Sequence, residues 1–341
     1  MKKIKSFHLM DVSIREGGYV PHFKISLDEV STLVDFLDSC HLTHLEIATV
    51  GGSPIDGKSQ IALLEAAKSS SRKVKIGALY APTHVSIDYD EYGQYLELLD
   101  FIRIGTNVHE IKLAKPWIEK AKKKNIPIFF QMIRSPAFSP LKVAQTAKKI
   151  EKMGVDVVYL VDSMGSFLPS DVVDYVKCIK NEISIPLGFH GHDNLGMALS
   201  NSITALQEGC EWVDASIFGC GRQAGNCQLE TLLLVLLKMG AKLNFDLKLL
   251  LKTSEQIAAP IFNMARGVKV FDSWSAFQNL DLYPPQTFEA LSHYSGLDIL
   301  DFVEEMKKIK GFVSFNEEEL IKICKHFKMP YDKILKLFQK S

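Results

Sequence analysis

Two histidines one residue apart, His190 and His192 in IPLGFHGHDN, are the strongest chemical signal in the chain. Side chains alternate along a strand, so both imidazoles would project from one face with Gly191 between them. Such a pair offers two nitrogen ligands to Mn, Fe, Co or Zn. Taken alone, the HxH spacing fits a core histidine beside a helix cap equally well. Acidic company shifts the balance: DVSIREGGY places Asp11, Arg15 and Glu16 close together, and Glu46 interrupts the otherwise apolar HLEIATV. Carboxylates gathered in this way point to a nearby cation, with a salt-bridge network as the competing explanation.

The elements that must hold these residues are legible over the first 240 positions. Eight β-rich runs alternate with amphipathic helical stretches: FHLMDVS near 7, HLEIATV near 44, KVKIGALY near 73, DFIRIG near 100, IPIFFQM near 126, VDVVYLVDS near 155, IPLGFHGH near 185 and WVDASIFG near 212. The alternation predicts a parallel α/β fold. Regular spacing, and the lack of a Gly-rich phosphate turn after the first run, favour a closed TIM (β/α)8 barrel over an open sheet. In such a barrel the working residues sit at the C-terminal strand ends. His190, His192, Glu46 and the Asp11–Glu16 group all fall there. Between runs, SPLKVAQTAKKIEKMG predicts a helix with Leu141, Ala144, Ala147 and Ile150 on its apolar face, stopping at Gly154.

From about residue 245 the strand pattern disappears, and DILDFVEEMKKIK and NEEELIKICKHF read as helices. Residues 1–244 are therefore expected to form the catalytic barrel and 245–341 an α-helical C-terminal domain. The GCGRQAGN stretch has the wrong spacing for a nucleotide fingerprint. Its glycines are better suited to the turn after strand eight.

Composition narrows the function classes. The 341 residues include 40 basic and 40 acidic side chains and are 47% hydrophobic, which suits a folded globular chain without the basic bias of a nucleic-acid binder. MKKIKSFHLMD lacks the apolar stretch of a signal peptide, and LETLLLVLLKMG is too short to span a bilayer. A cytoplasmic protein with no membrane or nucleic-acid partner is expected. Six cysteines without a CxxC pair read as reduced, mostly buried thiols.

Taken jointly, HGHDNLGMALSNSITALQEGCEWVDASIFGCGRQAGNCQLE (190–230) and DVSIREGGY resemble the DRE-TIM metallolyase superfamily, and within it the 4-hydroxy-2-oxovalerate aldolases. The resemblance runs over the whole barrel and more weakly into the tail. It implies a divalent metal, Mn2+ or Mg2+ before Co2+ or Zn2+, held by Glu16, His190 and His192, with Asn226 of the AGN turn close by. It implies that Arg15 steadies an enolate oxygen, that Glu46 is the strand-two glutamate of the superfamily, and that Ser163 is a substrate contact. The implied reaction is retro-aldol cleavage of a 4-hydroxy-2-oxo acid into pyruvate and an aldehyde, or its reverse.

Two positions depart from the pattern. Aldolases of this kind carry a histidine four residues after the arginine, where this chain has Tyr19. A phenol titrates near 10, about 4 kcal/mol away from acting as a base at neutral pH. Tyr19 is left the roles of acid or water-orienting group, and His22 is the nearest alternative imidazole. Glu16 replaces the family's aspartate, and its extra methylene moves the carboxylate by about 1 Å, so the turn must adjust to keep a ligand in place. REGGY does resemble the RDGGY of a divergent aldolase-like branch.

The acyl-CoA branch of the superfamily, with its Claisen synthases and lyases, is the alternative enzyme class, but its synthases usually read HxHND where this chain has HGHDN. A degenerate, non-catalytic barrel is the bland alternative. A homodimer is expected. In such aldolases the tail docks an acylating aldehyde dehydrogenase, and the loose match of this tail leaves that partner open.

Overall fold

Each expected run becomes a strand, because β-branched, leucine and aromatic side chains fit a sheet buried on both faces. The computed structural model describes residues 4, 6–19, 24–52, 59–262, 275–276, 278–282, 285–309, 312 and 316–338. The strands are β1 (His8–Asp11), β2 (His44–Thr49), β3 (Lys75–Tyr80), β4 (Phe101–Asn107), β5 (Ile128–Ile133), β6 (Val157–Asp162), β7 (Leu187–Gly191) and β8 (Trp212–Ala215). Every neighbouring pair is parallel, and β8 closes on β1 with Met10 opposite Asp214. This is the TIM (β/α)8 barrel.

The helices are α1 (Ser13–Gly17), α2 (Leu27–Ser39), α3 (Gln60–Ser70), α4 (Tyr89–Leu98), α5 (Lys115–Lys123), α6 (Pro140–Glu151), α7 (Pro169–Lys180), α8 (Ala198–Gln207), α9 (Leu229–Lys238) and α10 (Leu247–Phe262). Local chemistry sets their starts. α2 opens on a capping box in which Glu29 N donates to Ser26 Oγ (3.2 Å) and Ser26 N to Glu29 Oε2 (2.7 Å). α6 follows Ser139 and Pro140, and the chain leaves it at Gly154 with φ +81°. Its buried face differs from the expected one: Val143, Ala144, Ala147 and Ile150 are covered, whereas Leu141 is 60% exposed. Leu141 lies about 60° outside that arc, in the first turn.

The barrel interior is layered by alternate strands. His44, Phe101, Val157 and Trp212 occupy matching positions on β2, β4, β6 and β8. Two residues further along the same strands come Glu46, Arg103, Tyr159 and Asp214. The first set is mainly apolar and the second carries charge, so polarity rises toward the mouth. Gly188 on β7 makes this possible, since a Cβ there would stand 2.5 Å from the Tyr159 ring.

The last strand ends at Ala215, but the barrel's apolar core continues into α10 through Leu250, Ala258 and Phe262. Phe262 packs on Gly17, immediately after Glu16. A separate cluster joins Leu280, Leu282 and Phe288 to the helices Ile299–Met306, Glu317–His326 and Tyr331–Phe338. All six cysteines are free, five of them buried. Among the described residues no helix is long and apolar enough to cross a membrane.

Candidate metal centre and active site

His190 is the last residue but one of β7, His192 follows Gly191, and Glu16 reaches them from α1, the single turn after β1. One potential ligand atom from each lies within 4.8 Å of the others, and all three residues are buried. The two rings are 5.1 Å apart and nearly perpendicular, at 78°. Their outer nitrogens are engaged: His190 Nδ1 is 2.8 Å from Asp214 Oδ2, and His192 Nδ1 is 3.3 Å from the Gly225 carbonyl. Carbonyls accept only, as do ionised carboxylates, so both Nδ1 atoms donate and each Nε2 keeps its lone pair for a cation. Burial and the nearby Arg222 push His192 down to about 3, against the pull of Glu16, which leaves it neutral. Burial opposes ionisation of Glu16, yet Arg15, the two imidazoles and Arg222 together overcome it and bring the carboxyl down to about 2.

Two further oxygens show whether a cation fits. Glu16 Oε2 and Asn226 Oδ1 are buried, and no donor reaches either. Asn226 is fixed by its Nδ2 donating to Cys220 O (2.9 Å) and by a bridge with His192. A buried acceptor without a donor costs about 1–3 kcal/mol. A divalent ion would satisfy both oxygens and both imidazole lone pairs, so the residues suit the group. The turn that delivers Asn226 needs Gly225, at φ +91°, where a Cβ would lie 1.9 Å from Gly219 O. Asn194 braces this loop, accepting from Ala224 N (3.2 Å) and donating to Met164 O (3.0 Å).

Beneath this group runs a chain of buried charge. Arg15 donates to both Glu16 and Glu46. The other Glu46 oxygen accepts from Arg103 Nη1 at 2.6 Å, and Arg103 Nη2 reaches Asp214 Oδ2 at 2.5 Å. The guanidinium of Arg103 also lies 4.6 Å from the centre of the Tyr159 ring. Glu46 thus belongs to an ion-pair network, the competing explanation for the clustered acids. Burial acts against the charge of Arg15, but Glu16 and Glu46 overcome it and raise its pKa.

The remaining expected residues divide. Asp11 accepts from Ser13 N (3.0 Å) and Ser13 Oγ (2.7 Å), is pushed up to about 7 chiefly by burial, and stands outside the Glu16/His190/His192 group. Tyr19 follows α1, its N–H donating to Glu16 O at 3.3 Å. Burial, then the Glu16 charge, raise its phenol above the ordinary value. His22 lies outside the described residues. Ser163 Oγ accepts from Arg134 N (2.9 Å), and its carbonyl accepts from Arg222 Nη2 (2.9 Å). Sequence reasoning missed Arg103, Asp214, Arg134, Arg222 and Asp281. For the first two a signal existed, namely a charge inside FIRIG and inside WVDAS at the spacing that faces the barrel interior.

A closed barrel with two imidazoles and a carboxylate converging at its C-terminal mouth defines a metal-dependent TIM-barrel enzyme. Residues 100–257 match the HMGL-like family. An oxaloacetate decarboxylase from Mycobacterium tuberculosis is 30% identical over 307 residues, covering 88% of this chain and 90% of that protein. A 4-hydroxy-2-oxovalerate aldolase from Geobacillus genomosp. 3 is 32% identical over 273 residues, covering 76% and 79%. Among solved structures, the N-terminal domain of a putative aldolase from Bacteroides vulgatus aligns with TM-score 0.70 and 25% identity over 80% of this chain and 93% of that one. The carboxyl transferase domain of Rhizobium etli pyruvate carboxylase shares the fold, with TM-score 0.80 at 13% identity over 96% of this chain and 61% of that one. The chain belongs to the HMGL-like family, on its aldolase-like side, and is a metal-dependent carbon–carbon lyase.

Proposed function

We propose that the protein is a divalent-metal-dependent aldolase that cleaves a 4-hydroxy-2-oxo acid into pyruvate and an aldehyde, or joins them. The observation that carries this reading is Arg15, a charged guanidinium held between Glu16 and Glu46 beside the Glu16/His190/His192 group. Glu16, His190, His192 and Asn226 would hold the metal, Mn2+ or Mg2+ before Co2+ or Zn2+. The bound ion supplies Lewis-acid polarisation of a keto oxygen.

The chain's own residues do the rest. Arg15 faces the oxygen on which negative charge grows as the C3–C4 bond breaks, and its fixed charge stabilises that state. Glu46 and Arg103 keep the guanidinium in place. Ser163 offers its hydroxyl proton to the substrate carboxylate. Proton removal from the 4-hydroxyl is assigned to His22, since the raised pKa of Tyr19 makes its phenol a donor. Tyr19 then returns a proton to C3, giving pyruvate.

One observation supports a second reading. Decarboxylation of oxaloacetate, whose second carboxylate is β to the keto carbon, releases CO2 and yields the same enolate with no base, which suits a site whose loop carries tyrosine where aldolases have histidine. Residues 1–244 are assigned the catalysis and 245–341 a covering role over the mouth. A cytoplasmic homodimer is the expected setting, with an acylating aldehyde dehydrogenase as the candidate partner.

The test is pyruvate release from a panel of 4-hydroxy-2-oxo acids, read by lactate-dehydrogenase coupling with Mn2+ or Mg2+ present. Release from at least one panel member supports the aldolase. Release from oxaloacetate above its uncatalysed rate, with none from the panel, supports decarboxylation. No release from either refutes both.

A further inference from the structure

A second constellation of buried charge occupies the barrel mouth, and the mechanism above does not use it. Arg134 stands just past β5 in the left-handed region, with φ +58°, an arrangement that a non-glycine residue adopts at a cost. Its surroundings hold it there. Its N–H donates to Ser163 Oγ (2.9 Å), Nη1 to Asn107 Oδ1 (2.7 Å) and to His84 Nε2 (3.3 Å), and Nε to Asp281 Oδ2 (2.9 Å). Arg222, in the loop after β8, reaches the other oxygen of the same carboxylate, with Nη1 3.5 Å from Asp281 Oδ1.

Two guanidinium groups from opposite parts of the mouth thus converge on one carboxylate, and that carboxylate is supplied by the segment beyond the barrel. Asp281 is 2% exposed. Burial disfavours its charge, but Arg222 and Arg134 prevail and hold it below the usual carboxylate range. His84 beside them is pushed down to about 4 by burial and by the same arginines, and so adds no charge. Glu110 also faces this group, accepting from Asn107 Nδ2 at 2.5 Å. This group adjoins the candidate metal centre, because Gly225 N donates to the Arg222 carbonyl (3.0 Å) while the Gly225 carbonyl accepts from His192 Nδ1 (3.3 Å).

A planar guanidinium pair presented to a carboxylate at a catalytic mouth is the arrangement that recognises an acid. We infer that Arg134 and Arg222 form a subsite for a second carboxylate, at the end of the substrate distant from its 2-oxo acid group, and that Asp281 fills this subsite in the free protein. The substrate is then a 2-oxo dicarboxylic acid. This rests on the lyase reading for what lies at the metal end, and adds the charge at the other. Asp281 is an internal competitor that the incoming carboxylate exchanges with, so it sets specificity without touching the reacting carbons.

The test is calorimetric binding to the Mn2+-loaded full chain of 2-oxoglutarate and 2-oxoadipate, each against its uncharged terminal amide. The subsite predicts that at least one acid binds tenfold or more tightly than its amide, and that Arg222→Gln abolishes this preference while leaving the amide's affinity within a few-fold. Asp281→Asn separates the subsite from a purely structural clasp. It should tighten the acid by several-fold, whereas loss of a clasp would weaken acid and amide alike. Equal binding of acid and amide at both chain lengths overturns the inference, as does an equal loss of both in Arg222→Gln. Pyruvate release without this charge preference leaves the lyase standing and removes the subsite; the preference without pyruvate release does the reverse.

Discussion

The guanidinium of Arg103 lies 2.5 Å from the Asp214 oxygen that also holds His190 Nδ1 at 2.8 Å. One buried arginine therefore positions both halves of the site, His190 through Asp214 and Arg15 through Glu46. Replacing it with methionine would leave Glu46 with Arg15 alone and Asp214 with His190 alone. Loss of one partner from a buried ion pair costs about 3–5 kcal/mol. Arg103→Met is expected to lose stability of that order in urea unfolding; a change under 1 kcal/mol would show that the network is not held together by this residue.

Asp214 sets the tautomer of His190. Outer partners of ligating histidines are worth about 10–100-fold in metal affinity. Asp214→Asn should weaken Mn2+ binding by that factor in a competition titration with a fluorescent chelator, and unchanged affinity would place His190 outside the ligand set.

In the proposed reaction Arg15 faces developing charge, so its removal should spare the metal and damage turnover. Arg15→Gln is expected to lower kcat by about 10²–10³ while the metal content stays near the wild-type value. Loss of metal in proportion to activity would instead make Arg15 a support for Glu16.

Burial raises the pKa of Tyr19, and the proposed reaction gives it the part of proton donor. Tyr19→Phe should lower kcat by about a hundredfold without moving the acidic limb of the pH–rate profile. A displaced acidic limb would mark the phenol as the base.

The opposite end of the barrel makes a prediction about stability. His44 lies against Phe101 and Trp212, with centroids 5.5 and 4.8 Å away, and burial followed by the charge of Lys75 pushes it down to about 4. The unfolded chain takes up a proton near 6.5, before the folded one does. Stability contributed by keeping the ring neutral is fully present above that value and is lost as pH falls toward 4. The partly exposed ring should account for roughly 1–2 kcal/mol over this window. Urea unfolding of wild type and His44→Gln at pH 7 and pH 4.5 should show the variant losing less; equal losses would assign the acid sensitivity elsewhere.

Much of this was legible in the sequence for physical reasons. Strands buried on both faces are dense in β-branched and aromatic residues, and two-residue alternation puts His190 and His192 together before any coordinates exist. Leu141 was misplaced because a helical apolar pattern tolerates a residue at the edge of its arc. Arg103 and Asp214 are 111 residues apart on strands that are not neighbours, and meet only because closure of the barrel brings β4 and β8 to face one another across its interior. Asp281 was beyond reach for the same reason, since only the docked tail carries it into the mouth. Glu16 carries one methylene more than the aspartate of the family it resembles, and from the single turn of α1 its carboxylate stands beside both imidazoles.

Metal content tests the buried cation site without the need for a substrate. Purified protein incubated with Mn2+ and desalted should retain about one ion per chain by plasma mass spectrometry, and the His190→Ala/His192→Ala double variant, folded by circular dichroism, should retain none. Retention by the folded variant equal to wild type, or no ion in wild type, would mean that Glu16, His190 and His192 do not hold a metal.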